Sequence, residues 1–147
     1  MSTISQQIGE WAAKVRFEDL SPEAVTAAKT ILYDSLGCAL GGSKTHDVGI
    51  MRGYLEEKGG AEEATVVGSG RKLPASEAAL LNALMLRALD YNDIYWKQDP
   101  SHPSDLIPAA MAAAERAGGS GRDLLIGIAS LVFLLACVLF IVAYPKR

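Results

Sequence analysis

Four aspartates and a histidine fall within residues 90–105: Asp90, Asp93, Asp99, His102 and Asp105. Tyr91, Tyr95 and Trp96 stand among them, and His46 is the chain's only other histidine. Imidazole beside carboxylates is the usual apparatus for moving protons near neutral pH. Apolar neighbours favour a protonated carboxyl group, whereas a carboxylate partner favours imidazolium. The same residues also fit a polar loop in which Asp105 simply starts the next helix, and composition alone favours that reading. One histidine and scattered aspartates match no compact metal-ligand pattern, so no metal is expected.

The elements that position this segment are helices. Apolar residues make up 50% of 147 residues, charged residues 21% and aromatics 7%, with alanine prominent among the apolar ones. This balance excludes intrinsic disorder and favours packed helices, because alanine loses no side-chain entropy in a helix. Thr3 and Gln6 have capping-box spacing, followed by Ile4, Ile8, Trp11, Ala12 and Val15 at helical intervals. Ser21-Pro22-Glu23 is a second start, with Val25, Ala28, Leu32, Leu36 and Ala39 as the buried face and Gly41-Gly42 as the stop. A third helix is expected from after Thr45 to Gly59-Gly60, a short β-like run over 64–67, and a helix from Ser76 to about Asp90. Pro100 and Pro103 exclude regular helix from the loop that follows. A fifth helix is expected from about Asp105 to Ala117, and Ser120 with Asp123 restarts a helix.

Two motifs fail on inspection. Residues 37–45 resemble a phosphate-binding loop, but Ser43 separates the last glycine from Lys44, and the stretch ends a helix. Gly68-Ser69-Gly70 follows a β-like run, but Leu73 stands where a dinucleotide fingerprint needs glycine, so a tight turn is expected. The net charge of −3 argues against a nucleic-acid partner. Cys38 and Cys137 show no disulfide or metal spacing.

Charge is unevenly distributed. Residues 1–123 hold all 17 acids and 12 of the 14 bases, whereas residues 124–144 carry no charge. As a helix that stretch would span about 31 Å, close to a bilayer's hydrocarbon thickness. A transmembrane helix over 124–144 is therefore expected, with 145–147 as a basic tail; a buried core helix is the alternative. The first residues lack the apolar region of a signal peptide, which points to a single-pass C-terminal anchor with residues 1–123 cytosolic, or otherwise to a cytoplasmic protein.

Three segments carry a resemblance: YDSLGCALGGSKT, then EATVVGSGRKLPASEAALLNALMLRALDYNDIYW, then HPSDLIPAAMAAAERAGGSGRDLL. In this order they resemble the opening of the MmgE/PrpD family, which includes 2-methylcitrate dehydratase and cis-aconitate decarboxylase. The resemblance implies an all-α domain over residues 1–123, the N-terminal part of the family's helical domain, and a family habit of forming homodimers. It implies cofactor-free lyase chemistry on small polycarboxylates. Asp90 in LDYND and His102 in HPSD match the family's first catalytic segment, and Asp93 matches a further family acid. Ile94 stands where the family commonly has threonine. The family's substrate-binding lysines come from later segments, so the 147-residue chain is expected to be a truncated family member without turnover of its own. The alternative is a non-catalytic, tail-anchored helical protein that binds a partner at the membrane.

Overall fold

The computed structural model describes residues 2–96 and 100–143, the last nine of these in backbone alone. Six α-helices are described: α1 (Ile4–Ala12), α2 (Pro22–Gly42), α3 (His46–Lys58), α4 (Ala75–Arg87), α5 (Ile107–Arg116) and α6 (Gly121–Ala143). Between α3 and α4 the chain makes one small antiparallel hairpin of β1 (Ala64–Thr65) and β2 (Lys72–Leu73), with Ala64 opposite Leu73 and Thr65 opposite Lys72. Only the first of these strands was legible as a β-like run. The fold is thus mostly helical, with a sheet of two strands where a single run was expected.

The helix starts follow their capping chemistry. Thr3 Oγ1 accepts from the Gln6 N–H at 3.2 Å while Gln6 Oε1 accepts from the Thr3 N–H at 2.8 Å. Ser21 Oγ accepts from the Ala24 N–H at 3.2 Å. Ser120 and Asp123 form the same reciprocal pair before α6, with the Ser120 N–H donating to Asp123 Oδ2 at 2.7 Å. Such bonds satisfy amides that have no partner within the helix.

α2 and α4 pack along each other and hold the centre of the fold. Gly42 sits where they meet: a Cβ built there would lie 2.0 Å from the Met85 carbonyl oxygen. This glycine is therefore required for close helix approach, and Ser43, with ordinary right-handed dihedrals, closes the helix. One apolar cluster joins Cys38 and Ala39 of α2, Val48 and Leu55 of α3, Leu81, Met85 and Leu86 of α4, and the hairpin. A second joins Ala28 of α2, Ile107 and Ala110 of α5, and Leu125 and Ile128 of α6. Burying each large aliphatic side chain stabilises the fold by about 1.5–3 kcal/mol.

The hairpin is too short to satisfy itself, and buried Asn82 of α4 completes it. Asn82 Oδ1 accepts from the Val67 N–H at 2.9 Å, and its Nδ2 donates to the Thr65 carbonyl at 3.0 Å.

The first turns of α6 pack against the core. Leu125 and Ile128 are buried in the second cluster, and Leu124, Leu131 and Val132 pack against it. The opening turns of the uncharged stretch thus face α2 and α5. Among the described residues no helix is long and apolar enough to cross a membrane. The end of the expected span at Tyr144 and the basic tail over 145–147 lie outside the described residues.

Candidate active-site loop

Helix α4 ends at Arg87, three residues before the expected end, and the chain turns out through Ala88 and Leu89 to Asp90. Asp90 has φ +47°, the one non-glycine in the left-handed region among the described residues. Asp is among the few residues that tolerate this conformation, because its short polar side chain bonds locally. The Asp90 N–H closes the turn onto the Arg87 carbonyl at 3.0 Å. Its carboxylate lies 3.4 Å from Arg87 Nη2 and its side chain is 83% exposed.

Beyond Asp90 the loop folds back on itself. Tyr95 and Ser101 form an isolated antiparallel bridge, with the Tyr95 N–H donating at 2.7 Å and the Ser101 N–H at 3.1 Å. This bridge brings residues 92–93 against 102–104. Asp93 Oδ1 accepts from the Ser104 N–H at 3.1 Å, which caps the 3-10 turn Pro103–Leu106 that leads into α5. The fifth helix thus starts as a tighter turn at Pro103. Asp105, expected to open it, reaches back towards Arg87 Nε at 3.8 Å.

His102 is half-buried, and its Nδ1 lies 2.6 Å from the Asp93 carbonyl oxygen. A carbonyl only accepts, so Nδ1 carries the hydrogen. In the neutral ring the lone pair is then on Nε2, which is the arrangement a general base needs. Asn92 is buried between the two arms of the loop. It accepts from Arg87 Nη1 at 3.1 Å and donates from Nδ2 to Ser104 Oγ at 2.8 Å. Asn92 and Ser104 lie inside the motifs read from the sequence, but neither titrates near neutral pH, so a search for proton-carrying side chains passes over them. Arg87 lies outside the 90–105 segment, and its guanidinium joins Asp90, Asn92 and Asp105.

The three sequence-derived candidates thus occupy one loop in different settings. Asp93 and His102 are in direct contact through the Asp93 backbone. Asp90 is joined to them through Arg87 and Asn92, and no hydrogen bond links Asp90 to His102. Lys97 and Asp99 lie outside the described residues. Among the described residues of the loop, Arg87 is a lone guanidinium facing the carboxylates of Asp90 and Asp105. Cys38 is close by on α2, but burial pushes its thiol up, and the charges of Asp34 and Asp93 add to that effect. It is a packed thiol rather than a nucleophile. Among the described residues no group of three or more His, Cys, Asp or Glu side chains is arranged to hold a metal ion.

Residues 6–130 match the MmgE/PrpD N-terminal domain. The chain belongs to the MmgE/PrpD family. The match begins in α1 and runs into α6, and takes in Leu125 and Ile128, which contact the core. The chain is similar to the cis-aconitate decarboxylase of Aspergillus terreus, at 26% identity over 126 residues, covering 84% of this chain and 25% of that protein. It is also similar to a cis-aconitate decarboxylase-like protein, oryM, of Aspergillus oryzae, at 25% identity over 134 residues, covering 90% of this chain and 28% of that protein. The chain therefore spans about a quarter of the length of these relatives. The Asp90–His102 loop lies within the MmgE/PrpD match.

Proposed function

We propose that the loop from Arg87 to Asp105 is the acid–base part of a cofactor-free lyase site for small polycarboxylates such as cis-aconitate or 2-methylcitrate. One observation carries this reading: the 2.6 Å contact between His102 Nδ1 and the Asp93 carbonyl, which leaves Nε2 to exchange protons. In a dehydration, Nε2 takes the proton from a carbon next to a carboxylate. The electron pair forms the new double bond, and the hydroxyl on the neighbouring carbon leaves as water, taking from the imidazolium the proton that Nε2 removed. In a decarboxylation, the carbon–carbon bond to carboxylate breaks, CO2 leaves, and the carbanion takes a proton from imidazolium. Asp93 acts by holding His102 and the Ser104 turn. Asp90, exposed and beside Arg87, faces substrate and water.

Such chemistry also needs cations to hold the developing charge. The loop has more carboxylates than cations, so it supplies proton transfer and little charge neutralisation. The family resemblance assigns that second task to lysines of later segments. The 147-residue chain is accordingly expected to respond to substrate without turning it over. The test is to label the histidine nitrogens, titrate the chain with cis-aconitate and with 2-methylcitrate, and assay the same samples for product. A saturable shift at His102 Nε2, absent for acetate, supports the reading. No response at His102 would sink it, and turnover abolished by His102→Ala would refute the expectation of an inactive chain.

We infer a second reading from the apolar groove between α1 and α6, lined by Ile4, Ile8, Trp11, Phe133 and Leu134. Ile4, Trp11 and Phe133 are all exposed. A non-catalytic protein held at a membrane would use such a surface together with the uncharged stretch that follows. Co-sedimentation with phosphatidylcholine vesicles, lost on Trp11→Glu, supports this reading; failure to bind vesicles counts against it.

A further inference from the structure

Asn92 is central to the loop's hydrogen bonds, yet the proton chemistry proposed above does not use it. It is 9% exposed. Its Oδ1 accepts from Arg87 Nη1 at 3.1 Å, its Nδ2 donates to Ser104 Oγ at 2.8 Å, and the same nitrogen lies 3.4 Å from His102 Nδ1. Arg87 belongs to the last turn of α4, a helix packed along α2. Ser104 belongs to the turn that follows His102. One amide therefore connects the last turn of a packed helix to a histidine in a loop, where no helical or sheet ladder fixes side-chain orientation.

The contacts at Nδ1 also bear on the ring's tautomer. The Asp93 carbonyl at 2.6 Å requires a hydrogen on Nδ1, because two lone pairs cannot face each other at that distance. The Asn92 amide at 3.4 Å would suit a lone pair there instead. The shorter contact prevails as long as the Asn92 amide stays drawn towards Ser104 and Arg87. Without that tie the ring is able to turn from the Asp93 carbonyl, and water serves as donor to the alternative tautomer.

We propose that Asn92 is a positioning residue: through Arg87 and Ser104 it ties the end of α4 to the His102 turn and keeps a single imidazole tautomer with its lone pair on Nε2. The inference rests on His102 being the proton carrier of the proposed site. Its test reads the ring directly in the whole 147-residue chain, by nitrogen chemical shifts of labelled histidine at a pH where the ring is neutral. The wild-type chain is expected to show one form, with hydrogen on Nδ1. Asn92→Leu is expected to show a mixture of both tautomers while the Thr65 and Val67 amides of the distant hairpin keep their wild-type shifts. Asn92→Asp accepts from Arg87 and from the Ser104 hydroxyl and is expected to restore the single form. If Asn92→Leu does not fold, Ser104→Ala, which removes only the hydroxyl, is expected to show the mixture. A single Nδ1–H form persisting in folded Asn92→Leu or in Ser104→Ala, or a mixture persisting in Asn92→Asp, would overturn the proposal. Titration of the wild-type chain with cis-aconitate separates the two readings: no response at Nε2, with tautomers behaving as expected, rejects the substrate and leaves the positioning role standing.

Discussion

Oε2 of Glu115 accepts twice from Thr65, fifty positions away in the chain: from its N–H at 3.0 Å and from its hydroxyl at 2.6 Å. Lys72 of the opposite strand lies 3.8 Å from the same oxygen. With Asn82 contributing from α4, the hairpin is fastened to two helices by side chains rather than by further strands.

This arrangement sets an order of sensitivity. Asn82→Leu leaves the Thr65 carbonyl and the Val67 N–H without partners, at a cost of about 1–3 kcal/mol for each group. Glu115→Ala is expected to cost about as much as one such group, and Glu115→Gln less, since an amide oxygen still accepts. Urea unfolding of the three variants checks the order; Asn82→Leu as stable as wild type would contradict it.

Close packing at Gly42 gives a paired test within one helix. Gly42→Ala places its Cβ 2.0 Å from the Met85 carbonyl oxygen and drives α2 from α4. Overpacking of this kind costs about 1–3 kcal/mol. At Gly37 a Cβ would meet nothing within 4 Å. Gly37→Ala is therefore expected to raise stability by about 0.5–1 kcal/mol through helix propensity. Thermal melts of the two variants should move in opposite directions.

Glu77 gives the fold an acid-sensitive contact. Lys58 Nζ lies 2.6 Å from its Oε1, and the Ser76 hydroxyl bonds its other oxygen. The bond from Lys58, then those from Ser76 and the Glu77 N–H, bring its pKa down to about 2 from the ordinary 4.5. Because the folded value is the lower one, the contribution is complete above pH 4.5 and is lost as pH falls towards 2. Lys58→Met is expected to lower the urea midpoint at pH 6 and to approach the wild-type midpoint as the pH falls to the acid end. A gap independent of pH would show that the ion pair is not its source.

The left-handed backbone at Asp90 separates conformation from charge. Asp90→Gly relieves a strained φ and is expected to leave stability unchanged or raise it by up to about 1 kcal/mol, since an exposed ion pair contributes little. Asp90→Val, β-branched at positive φ, is expected to destabilise. Denaturation midpoints of the two variants provide the check; a stable valine variant would mean that the loop adopts another path.

The sequence made the helices visible where local chemistry specifies them. Thr3 with Gln6 and Ser120 with Asp123 bond as their spacing implies, and Ser21 caps its helix by accepting from the Ala24 N–H, because a cap depends on neighbours within four residues. The second strand was not legible: Lys72-Leu73 has no pattern of its own and exists through Ala64, Glu115 and Asn82. Asp93 and His102 were legible as chemistry, but their contact runs through a backbone carbonyl, which no choice of side chains announces. The surroundings of the opening turns of the uncharged stretch were not decided by the sequence, for a related reason. Hydropathy does not distinguish lipid from the side chains of Ala28 and Ile107 as surroundings for Ile128.

The Tyr95–Ser101 bridge works as a clasp on the stem that holds His102, Asn92 and Ser104. Its two backbone bonds tie the arms of the loop together at a fixed separation. They run between main-chain groups, so side-chain changes at positions 95 and 101 leave them in place, except for proline, which has no N–H to give. The histidine is thus kept in register by a fastening that tolerates side-chain variation.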